Sequence, residues 1–263
     1  MSLDERRDYV NENITLTQKT DGLTFGTDAY LLAAYIKQRP QARAVDLGSG
    51  TGIIPLLCLA RNKFAACTAA EIQPSFSELI RQNATENNMA DRLTVWEGDV
   101  RDLTAARLGY EVDIVTANPP YMTADSGAAN RYEEKYIARH EVYGGIFDFC
   151  AAAGRILKHG GRFYCVFRPD RLADLMAAMR EARLEPKRMT FVHATYAAPP
   201  SMVLVEATKG AAPSMTVTPP LCLWQADPQN PVKPASPMNP TKDSNDIYEN
   251  CAFPERFLGA NRK

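Results

Sequence analysis

The stretch VDLGSGTG (45–52) places Gly48, Gly50 and Gly52 directly after a short apolar run and ahead of a helical one. Glycine admits positive φ and lets a ligand approach the backbone closely. The spacing is G-x-G-x-G, shorter than the G-x-G-x-x-G of dinucleotide sites, and no P-loop lysine accompanies it. Asp46, just ahead of the turn, is expected to offer its carboxylate to a cationic ligand group rather than to a pyrophosphate. Glu71 closes the next apolar run. It can accept both hydroxyls of a ribose, or stand as a solvated acid at a strand end. Asp99, in EGDV, either accepts from an adenine amino group or caps Val100-Arg101.

Together, three acids and three glycines at the ends of successive strands imply an adenosine-bearing ligand with a positive, non-phosphate end. S-adenosylmethionine fits that description. The fourth strand, VDIVTA (112–117), delivers Asn118-Pro119-Pro120-Tyr121 to the same edge. An amino group on a planar ring is a poor nucleophile because its lone pair is delocalised. The Asn118 side-chain oxygen and the Pro119 carbonyl can each accept one of its N–H bonds, holding it while the nitrogen pyramidalises. Pro119 and Pro120 stiffen the turn, and Tyr121 offers a flat face to a planar substrate; such stacking contributes roughly 1–3 kcal/mol per base. The chemistry requires no general base, so His140 is read as a loop or helix-start residue.

These residues need a frame that brings strand ends together. From residue 42 to about 207 strands and helices alternate: strands at 42–48, 65–72, 93–99, 112–117 and 162–167, with helical patterns at 51–62, 74–88, from near Glu141 to Leu157, and 169–183. Gly160-Gly161 reads as the turn into the fifth strand. LEPKRMTFVHA (184–194) and SMVLVEAT (201–208), joined by a short Pro-rich turn, read as an antiparallel pair. The expected fold is α/β: a doubly wound, mostly parallel, seven-stranded Rossmann-like sheet with an antiparallel last strand pair. Residues 1–40 form an N-terminal segment, 41–208 the main domain and 209–263 an irregular Pro-rich extension.

The chain has 263 residues, 45% of them apolar, and a formal net charge of -1, so any nucleic-acid contact must come from a local basic patch. Arg131, Lys135 and Arg139, interleaved with Tyr132 and Tyr136, suit phosphate contact and stacking. Glu133 and Glu134 nearly cancel their charge, so the same loop also reads as merely solvated. Six cysteines without C-x-x-C spacing and three scattered histidines argue against a metal site. Cys58, Cys67, Cys150 and Cys165 read as buried hydrophobes in a reducing cytoplasm. No apolar run reaches the roughly 18 residues of a membrane span.

VDLGSGTG and NPPY together resemble the class I S-adenosylmethionine-dependent methyltransferases that act on planar amino groups. GLTFGTDAYLLAAYI (22–36), NPPYM, ARHE (138–141) and RILKHGGRFYCVFRPDRLADLM narrow the likeness to the bacterial tRNA(Val) adenine-N6 methyltransferase family, over about residues 10–224. That resemblance implies methylation of the adenine beside the anticodon in tRNA. It makes Asn118, Pro119 and Tyr121 the target-base site, with Pro120 in the same turn. Asp46, Gly48, Gly50, Glu71, Asp99 and Asn118 become the cofactor site, and Thr27 and Asp28 the segment closing over the methionine end. Thr27 and Asp28 also suit an N-cap for a helix from Ala29.

Alternatives are a ribosomal RNA adenine-N6 or guanine-N2 methyltransferase, a protein glutamine N5-methyltransferase, and an RNA-binding scaffold that retains the fold. The glutamine enzymes carry an extra N-terminal helical domain, for which about 40 residues ahead of the first strand are too few. The scaffold predicts eroded motifs, and both motifs are intact.

Overall fold

Short β-rich segments that are apolar on both sides need cover on both sides, and helices supply it. The computed structural model describes residues 5–11, 14–19, 26–119 and 144–259. An N-terminal hairpin, β1 (Glu5–Asn11) and β2 (Ile14–Lys19), precedes helix α1 (Thr27–Tyr35). Then follow β3 (Arg43–Leu47), α2 (Ile53–Ala60), β4 (Ala66–Glu71), α3 (Pro74–Glu86), β5 (Leu93–Glu97), the single turn α4 (Ala105–Leu108) and β6 (Val112–Ala117). After them come α5 (Ile146–Ile156), β7 (Leu157–Phe167), α6 (Leu172–Glu181), β8 (Leu184–His193) and β9 (Pro200–Lys209).

β3 to β9 form the expected seven-stranded sheet in the order β8-β9-β7-β6-β3-β4-β5. β9 runs antiparallel to both β7 and β8, and the other neighbours are parallel. Alternation along β7 shows how the faces are covered. Phe163, Cys165 and Phe167 pack with Phe149, Ile156 and Leu175 from α5 and α6, whereas Tyr164 and Val166 face the cluster built on α1, α2 and α3. Cys58, Cys67, Cys150 and Cys165 are buried free thiols. Gly160-Gly161 do not end one element and start another. They sit inside β7 as an irregularity, with Val112 opposite Leu157 but Ile114 opposite Arg162, and Gly160 at φ +75°.

The hairpin was not visible as a strand pattern, and side-chain amides attach it. Asn83 on α3 accepts from the Thr17 N–H (2.8 Å) and donates to the Thr17 carbonyl (3.0 Å), as a neighbouring strand would. One turn on, Asn87 repeats the exchange with Thr15. Asn83 also donates to the Thr51 carbonyl (3.0 Å), which ties the hairpin to the glycine turn.

The tail departs most from expectation. Residues 209–259 are built into the fold, although most of 210–241 is irregular as expected. β10 (Thr216–Val217) and β11 (Leu221–Cys222) add in parallel to β8, and α7 (Lys242–Asn250) packs on α1. Tyr30 and Tyr248 stack with ring centroids 4.8 Å apart. The fully buried Arg188 joins tail to sheet. It pairs with Glu206 (2.8 Å), donates to the carbonyls of Phe257 (3.0 Å) and Tyr35 (2.7 Å), and lies 3.6 Å from the Tyr35 ring centroid. Without Arg188, Glu206 keeps Arg162 and Lys37, but the buried carbonyls of Tyr35 and Phe257 lose their donor. Arg188→Ala is therefore expected to lower unfolding stability by about 1–3 kcal/mol for each carbonyl left unsatisfied, read from urea denaturation.

Candidate active site

Strand order reverses between β3, whose chain continues outward to β4 and β5, and β6, which leads the other way to β7. Ligands bind at the carboxyl ends of strands beside such a reversal. Leu47 and Ala117 are register partners there, so the glycine turn after β3 and Asn118 after β6 leave the sheet side by side.

Asp46 differs from its expected role. It is 1% exposed, accepts from the Ser49 hydroxyl (2.6 Å) and the Thr116 hydroxyl (2.5 Å), and lies opposite Thr116 in the β3–β6 register. The turn folds back over the strand end and carries Ser49 onto the carboxylate. Asp46 thus shapes the turn from inside instead of facing a ligand. Burial pushes its carboxyl up from 3.8 to about 6, against the lowering effect of the two hydroxyls.

Glu71 is 4% exposed and holds the turn from the other side. One oxygen accepts from the Gly50 N–H (2.9 Å) and the other from the Gln73 N–H (2.9 Å), while burial raises its pKa. Gly50 has φ +57°, and a Cβ there would meet nothing within 4 Å. Gly48 also has positive φ (+66°), but a Cβ on it would come within 3.1 Å of Phe149. The first glycine permits packing, and the second leaves an open cradle. Asp99 takes the capping option. It accepts from the Arg101 N–H (2.9 Å) and forms an ion pair with the Arg101 guanidinium, which holds its carboxyl below the usual range.

Thr27 and Asp28 lie within the first turn of α1, whose N-cap is Gly26, so neither caps a helix from Ala29. Asp28 reaches the β6 end instead: the Asn118 amide nitrogen donates to its Oδ2 at 2.9 Å. A carboxylate only accepts, so it selects which end of the amide faces it and turns the Asn118 oxygen elsewhere. Lys63 anchors the far end of α1. It is 4% exposed and donates to the carbonyls of Ala33, Ala34 and Ile36 at 2.7–2.9 Å. Pro119 is described and buried, whereas Pro120, Tyr121, Arg131, Lys135 and Arg139 lie outside the described residues. Among the described residues no cluster of His, Cys, Asp and Glu could hold a metal ion, and no helix is long and apolar enough to cross a membrane.

Comparison with known proteins adds to this geometry. The model of the family described as "Methyltransferase small domain" matches residues 20–182. The chain belongs to that family. A protein of Porphyromonas gingivalis named tRNA1(Val) (adenine(37)-N6)-methyltransferase is 31% identical over 173 residues, 64% of this chain and 67% of that one. A protein of the same name from Aeromonas hydrophila is 33% identical over 153 residues, covering 57% of this chain and 61% of its own. A solved structure of a predicted O-methyltransferase from Agrobacterium tumefaciens shares the fold, with TM-score 0.67 and 24% identity over 87% of this chain and 98% of that one.

The chain is a methyltransferase, and its methyl donor is S-adenosylmethionine. The cradle at Gly50, backed by the buried Glu71 and closed on the β6 side by the Asp28–Asn118 pair, fits such a group.

The sequence assigns Asp28 and Asn118 both to the cofactor site, with Asn118 also at the target base, but does not pair them, and it does not single out Ser49, Asn83 or Thr116. For Asn83 the local signal is Asn87 four residues on, at the C-cap of α3, which puts two amides on one helix face.

Because the folded-state pKa of Asp46 lies above that of an exposed aspartate, its contribution to stability is full below about pH 4. It is lost as pH rises through about 6, a decline of up to about 3 kcal/mol. Denaturation at pH 4 to 7 is expected to show this fall, and Asp46→Asn to remove that component of it.

Proposed function

We propose that this chain methylates the N6 amino group of adenine in tRNA, at the adenine beside the anticodon, and works in the cytoplasm. The Asp28–Asn118 hydrogen bond carries the reading at the level of chemistry, because it fixes an amide acceptor beside the glycine turn. The names borne by the Porphyromonas and Aeromonas relatives support the choice of tRNA and of adenine.

When bound, S-adenosylmethionine supplies a methyl group made electrophilic by its sulfonium. The chain's own residues prepare the acceptor. The Asn118 oxygen and the Pro119 carbonyl take the two N–H bonds of the adenine amino group, which draws its lone pair out of conjugation and directs it. Asp28 holds the Asn118 amide in the orientation that makes this donor–acceptor match. Tyr121 lies against the flat face of the base, and Arg131, Lys135 and Arg139 meet phosphates. Glu71 and Gly50 set the backbone cradle for the cofactor, while Asp46 and Ser49 keep the turn in shape.

Asn118→Ala is expected to reduce kcat at least about a hundredfold, with a far smaller loss of cofactor affinity measured by calorimetry. Asp28→Ala is expected to cost about tenfold or more in kcat, and Asp28→Asn to restore part of it, since an amide oxygen can still accept from Asn118. Labelled methyl transfer to unmodified tRNA, ribosomal RNA and a release factor, resolved by nucleoside and peptide mass spectrometry, tests the substrate. N6-methyladenosine confined to tRNA is expected. Label on ribosomal RNA or on glutamine would overturn the substrate while keeping the reaction class.

A further inference from the structure

A second concavity lies beside the Asn118 site. It encloses about 220 Å³ and is lined by Thr27, Asp28, Phe167, Arg168, Ser201 and Met202. Asp28 belongs to both places, since its carboxylate holds the Asn118 amide. The other walls come from the carboxyl end of β7 and the start of β9. β9 begins where the loop 194–199 ends.

That loop is braced. His193 and Pro200 are paired across its base, and the His193 ring is 2.7 Å from the Ala198 carbonyl. The Ala198 N–H donates to the Thr195 carbonyl (3.2 Å). The tail holds the loop from outside: Trp224 N–H donates to the Ala194 carbonyl (2.9 Å), and the fully buried Thr195 donates through its hydroxyl to the Pro231 carbonyl (2.6 Å). Next to this anchored threonine stands Tyr196, 73% exposed. A large aromatic ring on a loop fixed from both sides loses little conformational freedom on meeting a ligand, which is what a stacking platform requires.

We propose that this cavity and Tyr196 together seat an unpaired nucleotide adjoining the target adenine. Met202 and Phe167 supply apolar contact for a base, and the Arg168 guanidinium, which Asp170 pairs from one side, meets a phosphate oxygen with its remaining N–H groups. The Ser201 hydroxyl, which donates to the Val192 carbonyl (3.2 Å), accepts from a ribose hydroxyl, and Tyr196 supplies the stacking face. Single-stranded RNA suits this mixture of apolar wall, guanidinium and exposed ring. The inference rests on the RNA reading given above. It also assigns a task to the tail: residues 224 and 231 hold the loop in position.

The test uses the full-length chain with an RNA stem-loop containing the target adenine, and the same stem-loop with an abasic site at each neighbouring nucleotide in turn. Tyr196→Ala is expected to raise KM for the intact RNA by about 5- to 150-fold, matching the roughly 1–3 kcal/mol of a base–aromatic stack, with kcat and cofactor affinity unchanged. Tyr196→Phe is expected to behave as the unsubstituted chain. At one abasic position the unsubstituted chain should lose the same factor and Tyr196→Ala should lose nothing further.

Equal KM for Tyr196→Ala and the unsubstituted chain would overturn the proposal and leave the RNA reading intact. So would a loss that persists at every abasic position. Loss of self-association on Tyr196→Ala in sedimentation, with RNA binding unaltered, would assign the loop to a second copy of the chain instead. Failure of the unsubstituted chain to methylate any RNA would overturn the RNA reading, and this inference with it.

Discussion

The parallel pairing of β3 with β6 is the contact on which the rest of the site depends. It sets Asp46 opposite Thr116 and Leu47 opposite Ala117, so a one-residue slip would turn each side chain to the opposite face. With that register, the glycine turn and Asn118 leave the sheet as neighbours, although about 70 residues separate them in the chain. The hydroxyl of Thr116 and the carboxylate of Asp46 then lock the two strand ends together. A buried acid is expensive to keep charged, and burial pushes its pKa up accordingly. The chain accepts it at the position where turn shape matters most.

Helix α1 is the second determinant because it is held along its length and presents Asp28 at its free end. Lys63 satisfies three carbonyls at its C-terminal end, where a helix otherwise leaves acceptors unpaired. Tyr248 from the tail stacks on Tyr30 and hydrogen-bonds Thr27 at the other end. Asp28 therefore meets Asn118 from a rigid support, and rigidity of the supporting element is what a positioned acceptor needs. The hairpin is fastened in a comparable way, through amides on α3 that stand in for a strand edge.

The tail shows how local sequence can mislead. Proline, serine and asparagine with little periodicity read as irregular chain, yet residues 209–259 add two short strands to β8, cover α1 and brace the loop carrying Tyr196. Their order comes from partners far away in sequence, such as Arg188 donating to the Phe257 carbonyl. No window of the tail contains those partners.

The sequence by itself determined the alternation of strands and helices, the antiparallel final pair and the two motifs at the ends of β3 and β6. All of these are local: apolar period, glycine and proline placement, and residue type. Only the tertiary structure decided what the polar side chains do. Asp46 turned inward to two hydroxyls, Asp99 paired with Arg101, and Asp28 reached across 90 residues to Asn118. A carboxylate at a strand end has the same sequence signature whether it meets a ligand, a neighbouring hydroxyl or a cation. Which one it meets depends on strand register and helix placement, and those are set by packing over the whole sheet.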